Sequence, residues 1–221
     1  MNPIALIQQI LIYAIPILFA ITVHEVAHGW VASKFGDQTA KLMGRLTLNP
    51  IKHIDPMGTI VVPIICLMLG GFIFGWAKPV PVDWRNLRNP KKDMAWVASA
   101  GPGANLLMVI LWALLSRLIL FLGAPATGPL YALSQMCNAG ILINTFLMIL
   151  NLFPIPPLDG SRVLTSLLPP TLAYKYNQLE RYGLVIILLL LVTGILWKIL
   201  TPIIFGFLSL VSLIFGINLS L

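Results

Sequence analysis

The sequence predicts an all-α polytopic membrane protein. It should have about five to six transmembrane helices and a small membrane-associated β element between the first and second core spans. Three observations predict this class. Of 221 residues, 58% are hydrophobic and only 10% charged, against about 25% charged in soluble domains, and the mean hydropathy is +0.93. The apolar residues fall into long runs, several of the length that a hydrocarbon layer of ~30 Å demands. The basic residues gather in the connections between those runs.

The first run, 4–35, has no Lys or Arg before Lys34. The opening "MNPIALIQQI" lacks a basic region and a small-residue cleavage site, so this span is expected to stay in the mature protein. The connection 34–56 carries Lys34, Lys41, Arg45 and Lys52. It includes "GRLTLNP", whose polar–apolar alternation reads as an extended piece. The run 58–75 follows, and then a second basic connection, 76–93, with Lys78, Arg85, Arg88, Lys91 and Lys92. Its "KPVPV" permits only edge-strand or polyproline geometry. These two pieces make up the expected β element, beside a polar cavity that irregular backbone at membrane depth requires.

Runs 94–122 and 131–153 are joined by the uncharged "GAPATGPL". The run 184–197 is short for a span and is separated from 199–219 by Lys198 alone, which suggests a tight helical hairpin. One domain, 1–221, is expected, with a catalytic core of about 4–168 and the hairpin at about 182–221.

Charge orients these elements. If 58–75 crossed the membrane, the two basic connections would face opposite sides, against the positive-inside tendency. Re-entry of that segment puts both in the cytoplasm and the N-terminus outside. The neutral connection then lies outside, with Arg162, Lys175 and Arg181 inside. The formal charge of +7 reads as cytoplasmic loops. It is not a nucleic-acid surface, since no basic run is interleaved with stacking aromatics. Cys66 and Cys137 are too few for a disulfide framework or a cysteine zinc site. Trp84, Trp96, Trp112 and Trp197 read as interface anchors or packing.

The chemistry is concentrated in "ITVHEVAHGWV", 21–31. His24 and His28 lie four residues apart, about one helical turn, on one face. At that spacing two imidazoles reach one zinc ion, with Glu25 placed as general base toward water. Ionisable groups inside a span are costly and mark functional cavities. The chain has three histidines and seven acids, and this turn holds two of the former and one of the latter. His53 reads as a non-ligand loop residue.

A catalytic zinc usually takes three protein ligands. Asp159, in "NLFPIPPLDGSR", and Glu180, in "YNQLERYG", are both candidates. Asp159 follows a Pro-rich stretch that cannot stay regular helix, and a bent chain there could direct its carboxylate inward. Its alternative role is to cap a short following helix. Glu180 lies beside Arg181 in a polar connection suited to solvated pairs.

"HEVAH" in an apolar helix, followed far downstream by "NLFPIPPLDG", resembles the site-2 protease family of intramembrane zinc metalloproteases, peptidase family M50. "GPGAN" at 101–105 resembles a further motif of that family. "GWAKPVPV" and "NPKKDM" look like stretches of its small prokaryotic type, without PDZ or CBS domain. The resemblance covers roughly 20–163. It implies that His24, His28 and Asp159 bind one zinc ion per chain and that Glu25 is the catalytic carboxylate. It implies that Asn151 holds substrate or oxyanion, and that Asn105 is a structural or substrate-positioning residue. "LDGSR" departs from the family where many relatives have a second glycine.

The implied activity is that of a zinc metalloendopeptidase cutting within or near transmembrane segments of membrane-protein substrates. An extended substrate would pair with the expected strands. At about 1.5 Å per residue, His28 lies about 36 Å of helix from Ile4, near the cytoplasmic end of the first span. The expected location is the cell membrane, multi-pass, with the active site nearer the cytoplasm. The expected partners are substrate spans and the lipid bilayer, with no nucleic acid. Two alternatives stay open: a membrane-anchored metalloprotease acting on juxtamembrane or soluble peptides, with Glu180 as third ligand, and a non-enzymatic zinc-binding membrane protein or transporter.

Overall fold

The architecture comes from a computed structural model that describes residues 3–62, 65, 75, 77–123 and 127–219. Helix α1, Pro3–Lys34, is followed by an irregular stretch. Helices α2, Pro90–Phe121, and α3, Pro129–Asn151, come next. The two short helices α4, Asp159–Leu167, and α5, Pro170–Asn177, lead into α6, Gly183–Val192, and α7, Ile195–Phe215. Helices α1, α2 and α3 pack against one another, α4 docks on α2, and α7 docks on α3 and α6.

Four helices are long and apolar enough to cross a membrane: Gln8–Lys34, Pro90–Phe121, Pro129–Asn151 and Ile195–Phe215. Their outward faces are apolar, as at Phe19, Leu107 and Leu111, which is what a lipid solvent requires. The chain is thus a multi-pass membrane protein. The expected five to six spans are corrected to four among the described residues. The run 184–197 breaks at Gly194, which takes a left-handed φ of +73°. This leaves α6 with ten residues, about 15 Å of helix against a ~30 Å layer. Lys198 lies inside α7. Most of 58–75 lies outside the described residues, and its expected re-entry with it.

The expected β element is also corrected. No strand forms among the described residues, although 45–49 and 78–82 are non-helical and close together. The physical reason is competition for the backbone groups that a ladder would use. The Lys78 carbonyl accepts from the Arg45 guanidinium at 2.9 Å, and the Val80 N–H donates to Glu25 at 2.7 Å. The Thr47 carbonyl is paired with the His53 ring at 2.9 Å. Pro79 and Pro81 have no N–H at all.

An apolar core joins α2, α3, α6 and α7 around Val109, Ile141, Leu191, Leu200 and Leu208. A smaller cluster of Ala32, Leu87 and Val97, with Val82 and Trp84 against it, ties the irregular stretch to the ends of α1 and α2. The candidate site lies at this second, polar-connected end.

Candidate metal centre

Helix periodicity turns His24 and His28 toward α2. The helices approach closely there because α2 has a glycine at the crossing. A Cβ on Gly101 would fall 2.6 Å from His24 Nε2 and closer still to His28 Nε2. Asp159 arrives from the other direction as the first residue of α4. Gly160 is what allows that approach, since a Cβ there would collide with the Leu152 carbonyl and come within 2.7 Å of that of Phe153. The Pro-rich connection thus folds back onto the end of α3 and aims the Asp159 carboxylate at the imidazoles.

Three ligand atoms converge. His24 Nε2 and His28 Nε2 are 3.1 Å apart, and Asp159 Oδ2 lies 3.2 Å and 3.3 Å from them. The hydrogen-bond partners fix the tautomers. His28 Nδ1 lies 2.7 Å from the Val97 carbonyl, which can only accept, so the proton is on Nδ1.

His24 Nδ1 lies 2.6 Å from Asn105 Oδ1. The orientation of that amide is set from behind. Asn144 Nδ2 donates to the Gly140 carbonyl, so its Oδ1 faces Asn105 Nδ2, which also donates to the Ala20 carbonyl. Asn105 therefore offers an oxygen to His24, whose Nδ1 must donate. Both Nε2 atoms are left as lone-pair acceptors facing each other and a carboxylate oxygen.

Three acceptors at such distances repel unless a proton or a metal ion lies among them. Asp159 Oδ2 is buried and has no donor, which agrees with a group awaiting a metal and not with a helix cap. Ligand edges in a tetrahedral zinc site with bonds of about 2.0–2.1 Å are about 3.3 Å long. The His24, His28 and Asp159 atoms match that spacing, and the group stands out as one that could hold a metal ion. The donor chemistry, two neutral imidazoles and a carboxylate, suits zinc.

The triad opens on a cavity of about 390 Å³, which Glu25, Val80, Trp84, Asn151 and Arg162 also line. Glu25 accepts from the Val80 N–H at Oε2. Asn151 donates one N–H to the Leu147 carbonyl of its own helix at 2.9 Å. Asn105 does not reach the cavity; it is fully buried behind His24. Glu180 bonds to Arg162 at 2.6 Å, not to the triad, and that guanidinium also lies over Trp84. Trp84, expected as an anchor or as packing, packs against the Ala32, Leu87 and Val97 cluster and also forms part of the cavity wall. His53 is buried and bound to the loop backbone.

Sequence reasoning missed Asn144 and Val80. A polar residue in an apolar span, seven positions before Asn151 and so on the same helical face, was the signal for Asn144. The Val80 contribution is a backbone group, for which the flanking prolines were the only hint.

The model of the family described as peptidase family M50 matches residues 12–125 and 126–194. YwhC of Bacillus subtilis, which carries the provisional name of a zinc metalloprotease, is 42% identical over 195 residues. The match covers 84% of this chain and 84% of that protein. Rip2 of Mycolicibacterium smegmatis, named in the same provisional way, is 34% identical over 80% of this chain and 64% of its own length. Rip2 of Mycobacterium tuberculosis is 29% identical over 78% and 63%. The chain spans just under two thirds of both Rip2 proteins. No solved structure matches it.

Proposed function

The chain belongs to peptidase family M50, and from that premise we propose that it is a zinc endopeptidase that hydrolyses peptide bonds within or beside the membrane spans of other proteins. The observation that carries the reading is the convergence of two imidazole lone pairs and a carboxylate, inside an apolar bundle, beside Glu25 in one cavity.

His24, His28 and Asp159 would hold one zinc ion. When bound, zinc acts as a Lewis acid and makes water a usable nucleophile near neutral pH. Glu25 takes the proton from water as its oxygen attacks the peptide carbonyl carbon. It then delivers that proton to the nitrogen as the C–N bond breaks. The second N–H of Asn151 meets the carbonyl oxygen as charge grows on it. Asn105 acts behind His24 as a positioning residue, keeping the Nδ1 proton in place and Nε2 bare.

Depth supports this substrate class. Trp30 is exposed two residues beyond His28, with Lys34 over its ring, and exposed Trp96 stands near the start of α2. Tryptophan and lysine so placed mark the headgroup level. His28 and His24 then lie roughly half a turn to two turns inside the lipid boundary, on the side of the basic connections. By the positive-inside tendency that side is the cytoplasm. A substrate span must unwind locally to expose its carbonyls there.

The test is to incubate the purified chain in vesicles with a panel of single-span peptides, with and without chelator, and to map cuts by mass spectrometry. Chelator-sensitive cuts within a few residues of one membrane boundary are expected, and Glu25→Gln should abolish them. Cleavage that persists in Glu25→Gln, or that chelation leaves unchanged, would defeat the proposal.

A further inference from the structure

We infer that the Val80 backbone N–H is a positioning group for the Glu25 carboxylate, and that Arg45, which does not line the cavity, is the side chain that holds it there. The inference rests on the endopeptidase reading for its kinetic half and on geometry alone for its structural half.

Glu25 lines the cavity beside the imidazoles and reaches the irregular segment 78–82 with one carboxylate oxygen. Glutamate has three rotatable side-chain bonds, and ordering such a chain costs up to about 2 kcal/mol. Here one charge-assisted bond, Val80 N–H to Oε2 at 2.7 Å, fixes it in advance. Oε1 is left to take and give the proton. The flanking prolines make Val80 the only N–H donor in 79–81, with φ held near about −65° on either side. The stretch 79–81 therefore presents a single amide, which Glu25 accepts.

Several contacts pin the segment. Upstream, the Lys78 N–H donates to the His53 carbonyl at 2.9 Å. Arg45 Nη2 donates to the Lys78 carbonyl at 2.9 Å and reaches the Pro79 carbonyl at 3.4 Å, and its residue is almost wholly buried. Downstream, the Asp83 N–H donates to Asp37 Oδ2 at 2.8 Å. In the middle, buried Val80 rests on α1 at Gly29, one turn after Glu25 on the same face. A Cβ on Gly29 would sit 2.7 Å from Val80 Cγ1 and 2.7 Å from Leu46 Cδ2. Glycine there is what lets the segment come close enough for its amide to reach Glu25. Arg45 thus acts on the catalytic carboxylate through two carbonyls and one N–H, without touching substrate.

The structural half is tested by hydrogen–deuterium exchange on the purified chain without substrate. A peptide covering 78–82 has only three amide hydrogens, on Lys78, Val80 and Val82, because the prolines have none. Those of Lys78 and Val80 are both bonded in the wild type; Glu25→Ala should expose the Val80 one alone, and Arg45→Gln should expose it as well.

The kinetic half uses the single-span peptide that the wild type cuts best. Arg45→Gln should lower kcat about 10-fold or more, with KM within twofold and zinc content unchanged. Arg45→Lys, which keeps one donor, should recover part of the loss. Gly29→Ala should reproduce the kcat loss from the other side of the segment, should Arg45→Gln fail to fold. In a Glu25→Asp background, whose carboxylate is too short to reach Val80, Arg45→Gln should cost little more.

Equal exchange in wild type and Glu25→Ala overturns the inference. So does an Arg45→Gln effect confined to KM or to zinc content, or one that is undiminished in Glu25→Asp. If the wild type cuts nothing, the endopeptidase reading fails while the exchange result still decides whether Val80 holds Glu25.

Discussion

The two faces of α1 that meet at the site are built in opposite ways. On the imidazole face, His24 and His28 lean on another helix at Gly101, and every group bonded to them, directly or from behind, belongs to regular helix: Asn105, Val97 and, behind them, Asn144. On the carboxylate face, Glu25 and Gly29 meet backbone with no ladder and two prolines, held by Arg45, His53 and Asp37. Helix packing is rigid and suits a metal, whose ligands must match a fixed geometry. A pinned irregular segment can deliver a lone amide to a carboxylate, which a helix interior cannot, since its own N–H groups are spent internally. The difference predicts that damage to one face should spare the other.

The largest effect should come from Gly101→Ala. Its Cβ would land on both imidazoles, so metal affinity should fall roughly 100-fold or more. Chelator competition measures this. Exchange of the 78–82 amides should stay unchanged, and if it rises the two faces are not separable.

Asn105→Leu comes next. It removes the acceptor that sets the His24 tautomer, and metal affinity should drop about 10- to 100-fold. Asn144→Leu acts through Asn105 and should cost less than Asn105→Leu itself. The reverse order would show that Asn144 supports the bundle and not the tautomer.

On the carboxylate face, Asp37 is buried and accepts from the Thr39 N–H, Asn86 Nδ2 and the Asp83 N–H. Burial opposes its ionisation, but the donors from Thr39, Asn86 and Asp83 outweigh it and hold the carboxyl below its usual range. A depressed carboxyl contributes stability above its unfolded pKa of about 4, and loses it as pH falls through the lower folded value. Asp37→Asn should therefore destabilise the chain by about 2 kcal/mol at pH 7. The deficit should shrink below about pH 4, and thermal melts across pH in detergent would follow it. Zinc affinity should not change.

The smallest effect belongs to Glu180→Gln. Its pair with Arg162 is partly exposed, so stability should change by under about 1 kcal/mol.

The same division explains what could be read from the chain beforehand. His24, Glu25 and His28 were legible because helical period alone puts the histidines on one face. The apolar spans were legible because lipid imposes a length. Asp159 remained one of two candidates, since the direction of a Pro-rich bend has no period from which to read it. The β element rests on alternation in "GRLTLNP" and on the edge-strand or polyproline geometry of "KPVPV". Alternation reports which way side chains point, but not whether Arg45, Glu25 and His53 will claim the backbone groups that a ladder needs. The hairpin break was sought at Lys198, a long side chain that can stay helical and reach water. It fell instead at Gly194, where a left-handed turn costs no Cβ clash. Asn144 had a signal, a lone amide in an apolar span, whereas the role of Arg45 had none, because it acts on carbonyls 33 residues or more away.

The central claim is that one metal ion is held by His24, His28 and Asp159. Zinc content of the purified chain, measured beside Asp159→Asn and Glu180→Gln, addresses it most directly. About one zinc per chain is expected in the wild type and in Glu180→Gln, with loss in Asp159→Asn. A wild-type chain that binds no zinc, or an Asp159→Asn chain that keeps all of it, would contradict the account.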